Sequence, residues 1–301
     1  MIDLPWRIHW NIHSSEPDLF LNAVKECQPL SMTVEVDNPE RLSPLELPWP
    51  NTAIVAVLHG WRTVSTALPA DGIVRWEFPV TGPAQAEEAA GKFFRDMSPA
   101  RAAFRWIPSR GSLNDLPRLL EICLREGCGL TLPNRPADDI TAQGKDLMPD
   151  MRELDESSLP GLKKAAAQLG RERLRVHDFI ISAAMDLDGP EPLGCEAGNS
   201  IAFLDNDGTV YPCSSLLVKM GDLSRETLAA IWAKPIRSRI RKDVGNLPGV
   251  CDGCPVLEDC RGGCRGIVYH LKGHFGAPDP LCAVGHEGQE VRGNGETEKR
   301  G

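Results

Sequence analysis

Short apolar, β-branched runs alternate with stretches of helical periodicity along the N-terminal two thirds of the chain. Trp6–His13, Ser31–Val36, Ala53–Leu58, Gly72–Phe78, Ala102–Ile107, Cys128–Leu132 and Leu174–Ser182 read as strands. Helices read between many of them: Pro17–Cys27, with Phe20, Val24 and Cys27 on one face, then Gln85–Met97 and Ser158–Leu169. Ser112 and Asp115 look like a capping box opening a helix with the stripe Leu116, Leu119, Leu120, Cys123 and Leu124. Alternating strands and helices imply right-handed βαβ units and a mostly parallel sheet. A closed eightfold barrel takes about 250 residues, more than precede Cys195, where the cysteines begin to cluster. The expectation is an α/β fold built on a partial, open (β/α) barrel.

The first strand places Trp6, Ile8, Trp10 and Ile12 on one face and Arg7, His9, Asn11 and His13 on the other. Parallel sheets are normally covered on both sides, so a polar face points to a lumen or to solvent. His9 and His13 either line a substrate cavity, bind metal, or are simply exposed and hydrogen-bonded; His177-Asp178 is ambiguous in the same way. Further on, Leu223–Val244 reads as one helix capped by Ser224, with Leu228, Ile231, Trp232, Ile236 and Ile240 on its apolar face. Arg237, Arg239, Arg241 and Lys242 fall mostly off that face and read as a solvated basic flank rather than a docking surface.

Composition narrows the function classes. Hydrophobic residues at 42% and charged residues at 25% are globular averages. The net charge of −9 repels a phosphate backbone, which argues against nucleic acid as a partner. No apolar run approaches a membrane span, and the opening Met1–Arg7 has no signal-like pattern, so the expected location is cytoplasmic and off the membrane. Ten cysteines in such a chain point to metal rather than disulfides.

Seven of them fall in the C-terminal third: Cys195-x12-Gly208-x4-Cys213, then Cys251-x2-Cys254-x5-Cys260-x3-Cys264, then Cys282. A cubane cluster needs four thiolates converging on one body, supplied by tight turns and by segments that return to the same place. Asp205-Asn206-Asp207-Gly208-Thr209 reads as a hairpin turn between Ile201–Leu204 and Val210–Pro212, folding Cys195 back towards Cys213. Glycines at positions such as Gly194, Gly198, Gly262, Gly263 and Gly266 suit close backbone approach to sulfur. Structural zinc is the competing reading, since thiolate zinc sites take four ligands, though seven cysteines leave a remainder. Of the other cysteines, Cys27 and Cys123 read as small core residues. Cys128 is an alternative extra ligand.

At every spacing this constellation resembles the SPASM domain, as do the surrounding Asp207-Gly208-Thr209-Val210-Tyr211-Pro212-Cys213 and Cys260-Arg261-Gly262-Gly263-Cys264-Arg265. The resemblance implies a SPASM module at 188–287, after a radical SAM-type partial barrel at 1–187; a Gly-, Glu- and Lys-rich tail at 288–301 reads as disordered. It implies two auxiliary [4Fe–4S] clusters, the first held by Cys195, Cys213 and Cys264 and the second by Cys251, Cys254, Cys260 and Cys282. Family members with a fully ligated first cluster have one more cysteine shortly before the position of Cys195. Here Ala183–Glu191 contains none, leaving Asp186, Asp188 or Glu191 as oxygen candidates. The Cys-x3-Cys-x2-Cys loop that follows the first strand in radical SAM enzymes is also missing, as is the Gly-Gly-Glu segment after the second, so the barrel looks degenerate and no S-adenosylmethionine (SAM) is expected.

More narrowly, the chain resembles the SPASM-only protein of GeoRSP systems. That implies partnership with a radical SAM/SPASM maturase, a small peptide-binding chaperone-like protein and a peptide substrate. Three functions compete: an accessory protein assisting a separate radical SAM enzyme in peptide modification by electron transfer or substrate presentation; a redox enzyme acting at an incompletely ligated first cluster; and a structural zinc or docking module. No catalytic residue can be named.

Overall fold

The alternating run at the start of the chain becomes β1 (Arg7–Asn11), with Ile8 and Trp10 buried. β1 pairs in parallel with β2 (Ser31–Val36), and parallel pairing continues through β3 (Ala53–Leu58), β4 (Ile73–Val80), β5 (Ala102–Trp106), β6 (Gly129–Leu132) and β7 (Leu174–Val176). The connections carry α1 (Pro17–Cys27), α2 (Pro83–Phe93), α3 (Leu116–Glu126), α4 (Ala137–Gln143) and α5 (Leu159–Arg173). In this computed structural model the described residues are 4–12, 17–45, 49, 51–64, 68, 71–95, 97–143, 148–149, 151–154, 156–187 and 194–282.

One face of the sheet packs against the helices. Trp10 stacks on Phe20 of α1 at 5.2 Å, and Phe78 stacks on Phe93 of α2 at 4.7 Å, all four buried. Burying a side chain of this size contributes roughly 1.5–3 kcal/mol, so this layer anchors the barrel. Cys123 and Cys128 belong to it, fully buried and hydrogen-bonded to each other. The opposite face is concave. Arg7 on β1 and His177, just past β7, lie within electrostatic reach although five strands separate theirs in the sheet order. That proximity requires the sheet to curl into a partial barrel.

After β7 come α6 (Phe179–Ala184) and the cysteine-rich region, whose hairpin of β8 (Ile201–Leu204) and antiparallel β9 (Thr209–Tyr211) is extended by β10 (Gly221–Asp222). β8 pairs in parallel with β1, Arg7 opposite Ile201. The order is therefore β10-β9-β8-β1-β2-β3-β4-β5-β6-β7, a single ten-stranded sheet. It runs across the position expected to divide barrel from module, because β1 has a free edge that the hairpin satisfies. α7 (Leu228–Trp232), α8 (Pro235–Val244), α9 (Leu257–Cys260) and α10 (Arg265–Lys272) complete the fold.

Five local expectations change. Trp6 lies outside β1 and is 53% exposed, and His13 lies outside the described residues, as do Asp188, Glu191 and the 288–301 tail. Leu174–Ser182 is not one strand: Asp178 Oδ1 accepts hydrogen bonds from the Ile180 and Ile181 amides at 2.9 and 3.1 Å, ending β7 and starting α6. Gln85–Met97 shifts back to α2, which opens at Pro83, a favoured first helical residue. Ser112 makes no cap; its Oγ accepts from the Ser109 amide at 2.8 Å, and a 3-10 turn precedes α3. Leu223–Val244 divides into α7, capped by Thr227, and α8, because Pro235 lacks the N–H needed to continue a helix.

Candidate metal centre

The hairpin does the first assembly step. Cys195 precedes β8 and Cys213 follows β9, so antiparallel pairing returns the chain to its starting level. Cys264 joins them as the residue before α10, brought in by the approach of Gly266 to Ser215. A Cβ at Gly266 would collide with the Ser215 carbonyl, so only glycine lets this helix start lie against the Cys213 loop. The three thiols sense one another. Burial pushes the Cys213 thiol up to about 12, with Cys195 adding to it. Burial also raises Cys264 well above the ordinary thiol range, with Cys213, Asp279 and Cys195 contributing.

Cys251, Cys254, Cys260 and Cys282 form the other group. Cys251 is raised by burial and by Cys260, Cys282 and Cys254, while Cys260 is raised by burial, Cys282 and Cys254. Cys195 and Cys213 thus lie near Cys264, and Cys254, Cys260 and Cys282 near Cys251. Backbone amides point at several sulfurs: Ala197 at Cys195, Ser215 and Leu216 at Cys213, Gly262 at Cys260, and Ile267 at Cys264. Such N–H groups stabilise thiolate ligands.

Thiols held protonated by their surroundings, as Cys195, Cys213, Cys251, Cys260 and Cys264 are, suit a cationic iron core, which deprotonates and neutralises its ligands. Among the described residues, no group of three or more His, Cys, Asp or Glu side chains is placed to hold a single metal ion.

Side chains that the spacing pattern does not reveal tie the two groups together. Asp279, 1% exposed, accepts hydrogen bonds at Oδ2 from the Cys264 amide (2.7 Å) and at Oδ1 from the Leu281 amide (2.8 Å), and its carbonyl accepts from the Cys282 amide (2.9 Å). Gly263 has φ +72, and a Cβ there would strike the Asp279 carboxylate. Arg265 is also buried; its Nη1 donates to the Phe275 and Ala277 carbonyls and its Nη2 to that of Gly262. Its charge acts on Cys195, Cys251 and Asp279 alike. In the sequence both residues are merely charged neighbours of cysteines, Arg265 directly after Cys264 and Asp279 three before Cys282.

The basic residues of α8 need a correction. Arg237 Nε donates to the Gly198 carbonyl at 2.9 Å and its guanidinium lies over the Trp232 ring; Arg241 Nη1 donates to the carbonyls of Cys195 and Ala197. Half of the supposed solvated flank therefore clamps the Cys195 turn. A cavity of about 300 Å³ opens beside Cys195, lined by Gly194, Arg241, Leu247, Leu257 and Arg261 among others.

Other candidates fall elsewhere. Cys128 is enclosed with Cys123 in the helix-covered barrel core, and Cys27 donates to the Pro5 carbonyl. Asp186 is exposed and paired with Lys163 at 2.9 Å. His9 lies on the concave face, bonded to Glu35; Asp178 caps α6 but lies within electrostatic reach of Asp279.

Comparison with known proteins bears on the same region of the chain. Residues 195–255 match the SPASM family model, described as an iron–sulfur cluster-binding domain. Curated relatives include an AdoMet-dependent heme synthase of Methanosarcina barkeri, 30% identical over 30% of this chain and 25% of the relative. A PqqA peptide cyclase of Xanthomonas euvesicatoria is 29% identical over 50% of this chain and 41% of the relative. The chain thus spans less than half the length of these relatives. The solved structure of native anSMEcpe with bound AdoMet superimposes with a TM-score of 0.63 over 95% of this chain and 96% of that one, at 11% identity. A further structure of that protein, with AdoMet and the Cp18Cys peptide, gives 0.60 at 12% identity over the same shares. Among the described residues no helix is long and apolar enough to cross a membrane. Residues 195–255 are thus similar to a SPASM iron–sulfur cluster-binding domain, and they are set on an α/β partial barrel with the fold of anSMEcpe.

Proposed function

We propose that the chain is an accessory iron–sulfur protein that holds two [4Fe–4S] clusters and assists a separate radical SAM enzyme in modifying a peptide. The observation that carries this reading is the division of seven cysteines into a group of three and a group of four, held together by Asp279 and Arg265. Cys195, Cys213 and Cys264 would hold the first cluster, and Cys251, Cys254, Cys260 and Cys282 the second; when bound, the clusters supply one-electron redox chemistry. The protein's own groups bury Cys264, half-bury Cys213 and aim amides at their sulfurs.

The chain has no three-cysteine loop after β1, so SAM cleavage is assigned to a partner maturase, with a small peptide-binding chaperone-like protein delivering substrate. The peptide enters this reading because relatives include a PqqA peptide cyclase and a structure with a bound peptide. Anaerobic iron and sulfide analysis with EPR tests it: about eight irons and eight sulfides are expected for two cubanes. Stoichiometric zinc without sulfide overturns it.

A second reading, redox catalysis by the chain itself at an open iron of the first cluster, draws on the three-thiol supply and on the cavity beside Cys195.

A further inference from the structure

The concave face of the sheet carries a charged ladder that the cysteine sites do not use. On β2, Glu35 accepts from His9 at 2.7 Å and His59 at 2.9 Å, with Arg105 of β5 at 3.5 Å. Glu77 of β4 accepts from Arg105 at 2.9 Å and from Thr131 Oγ1 of β6 at 2.5 Å, with Arg75 at 3.7 Å. Arg105, Thr131 and Arg175 are register partners across β5, β6 and β7, so their side chains share this face. Two residues after Arg175, just past the end of β7, is His177.

Arg75 and Arg105 are thus engaged by carboxylates, but the β7 side is not. Among the described residues, neither the Arg175 guanidinium nor the His177 imidazole takes part in a hydrogen bond or ion pair, and both are exposed. Arg105, Arg7 and Arg175 all act on His177, against Glu77 alone; with burial as the largest cause, they lower its pKa. Arg175 and His177 therefore reach solvent in the hollow that the curl of the sheet forms, and that hollow is the cleft. Arg7 arrives from β1 across the curl, donating to Ser200 Oγ at 2.7 Å and lying 3.9 Å from Glu196. Four guanidiniums therefore face Glu35, Glu77 and Glu196. One carboxylate neutralises the excess, and a dianionic phosphate overfills it.

Beside the cationic side lies an aromatic strip. Phe203 of β8 is in register with His9, their rings 5.1 Å apart, and Tyr211 of β9 stacks on Phe203 at 6.0 Å. A ligand reaching from the strip to Arg175 needs an apolar group at one end and an anion at the other.

We propose that this cleft binds a peptide carboxylate, held by Arg175 with Arg7 and Arg105 around His177, its neighbouring apolar side chain lying on Phe203 and Tyr211. Paired N–H donors of a guanidinium match a planar carboxylate. That the carboxylate belongs to a peptide rests on the function proposed above; the anion site does not.

Calorimetry on the anaerobic, cluster-loaded full chain provides the test, with N-acetylphenylalanine, its uncharged amide and phenyl phosphate as probes. The acid should bind saturably and the amide at least about tenfold more weakly, as loss of a charge-assisted pair predicts. Arg175→Gln should weaken the acid by about the same factor and leave iron and sulfide content unchanged, and Arg175→Lys should restore only part of the affinity. Equal binding of acid and amide, tighter binding of the phosphate, no binding of any probe, or an unaffected Arg175→Gln variant overturns the proposal. Selective carboxylate binding by a chain whose peptide is never modified in the presence of a radical SAM partner overturns the functional reading and leaves the site standing.

Discussion

Asp279 Oδ2 lies 2.7 Å from the backbone nitrogen of Cys264 and accepts its proton. Through Oδ1 and its carbonyl the same residue holds Leu281 and Cys282. One buried carboxylate therefore fixes a cysteine of the three-thiol group relative to one of the four-thiol group, and the two sites share a scaffold.

Replacing Asp279 with Ala leaves two buried amides without an acceptor and Arg265 without its nearby anion. Breaking such a buried charged network costs about 3–5 kcal/mol. The Asp279→Ala protein should melt earlier in anaerobic thermal unfolding and lose iron from both sites. Asp279→Asn keeps one acceptor and should fall between. Normal iron content in the Ala variant would show that the loops are held by something else.

Selective cysteine substitutions should separate the clusters. Cys213→Ala is expected to remove one EPR signal and Cys282→Ala to damage the other, because the two thiols have different cysteine neighbours. With three thiols at the first site, added cyanide or a small thiol should perturb only the signal lost in Cys213→Ala. Two signals equally inert to added ligand would remove the support for catalysis at an open iron.

Incubated alone with SAM and a reductant, the chain should form no 5′-deoxyadenosine, since no cysteine follows β1 until Cys27 at the end of α1. Production that scales with this protein, in preparations free of other radical SAM enzymes, contradicts the accessory reading.

Glu35 links the barrel to pH. Burial alone would raise its carboxyl, but His9, the hydrogen bonds from His59 and His9, and Arg105 outweigh burial and hold it well below the ordinary carboxylate range. A depressed folded pKa contributes stability that is present above the unfolded value of about 4.3 and is lost as pH falls through the folded one. Glu35→Gln should therefore cost about 1–3 kcal/mol near neutrality, with the gap to the unsubstituted protein closing below about pH 4. Circular dichroism of both proteins from pH 7 downwards measures it, and a gap independent of pH contradicts the assignment.

Hydrophobic periodicity and the cysteine spacing were sufficient, from the sequence alone, for the strand-and-helix alternation, the open barrel and the β8–β9 hairpin. These depend on neighbours close in the chain, as Asp207-Gly208 at the turn and the buried alternation of β2 illustrate. Element ends were less legible. Asp178 ends β7 through its own cap, and Pro235 divides a continuous apolar stripe, both local effects that override periodicity. Only the tertiary structure decided which polar residues matter. Arg241 on α8 reaches Cys195 across 46 positions, Asp279 reaches Cys264 across 15, and Arg7 meets His177 because the sheet curls. A charged side chain shows its type in sequence, but its partner is set by how distant backbone segments pack, and packing is a property of the whole sheet.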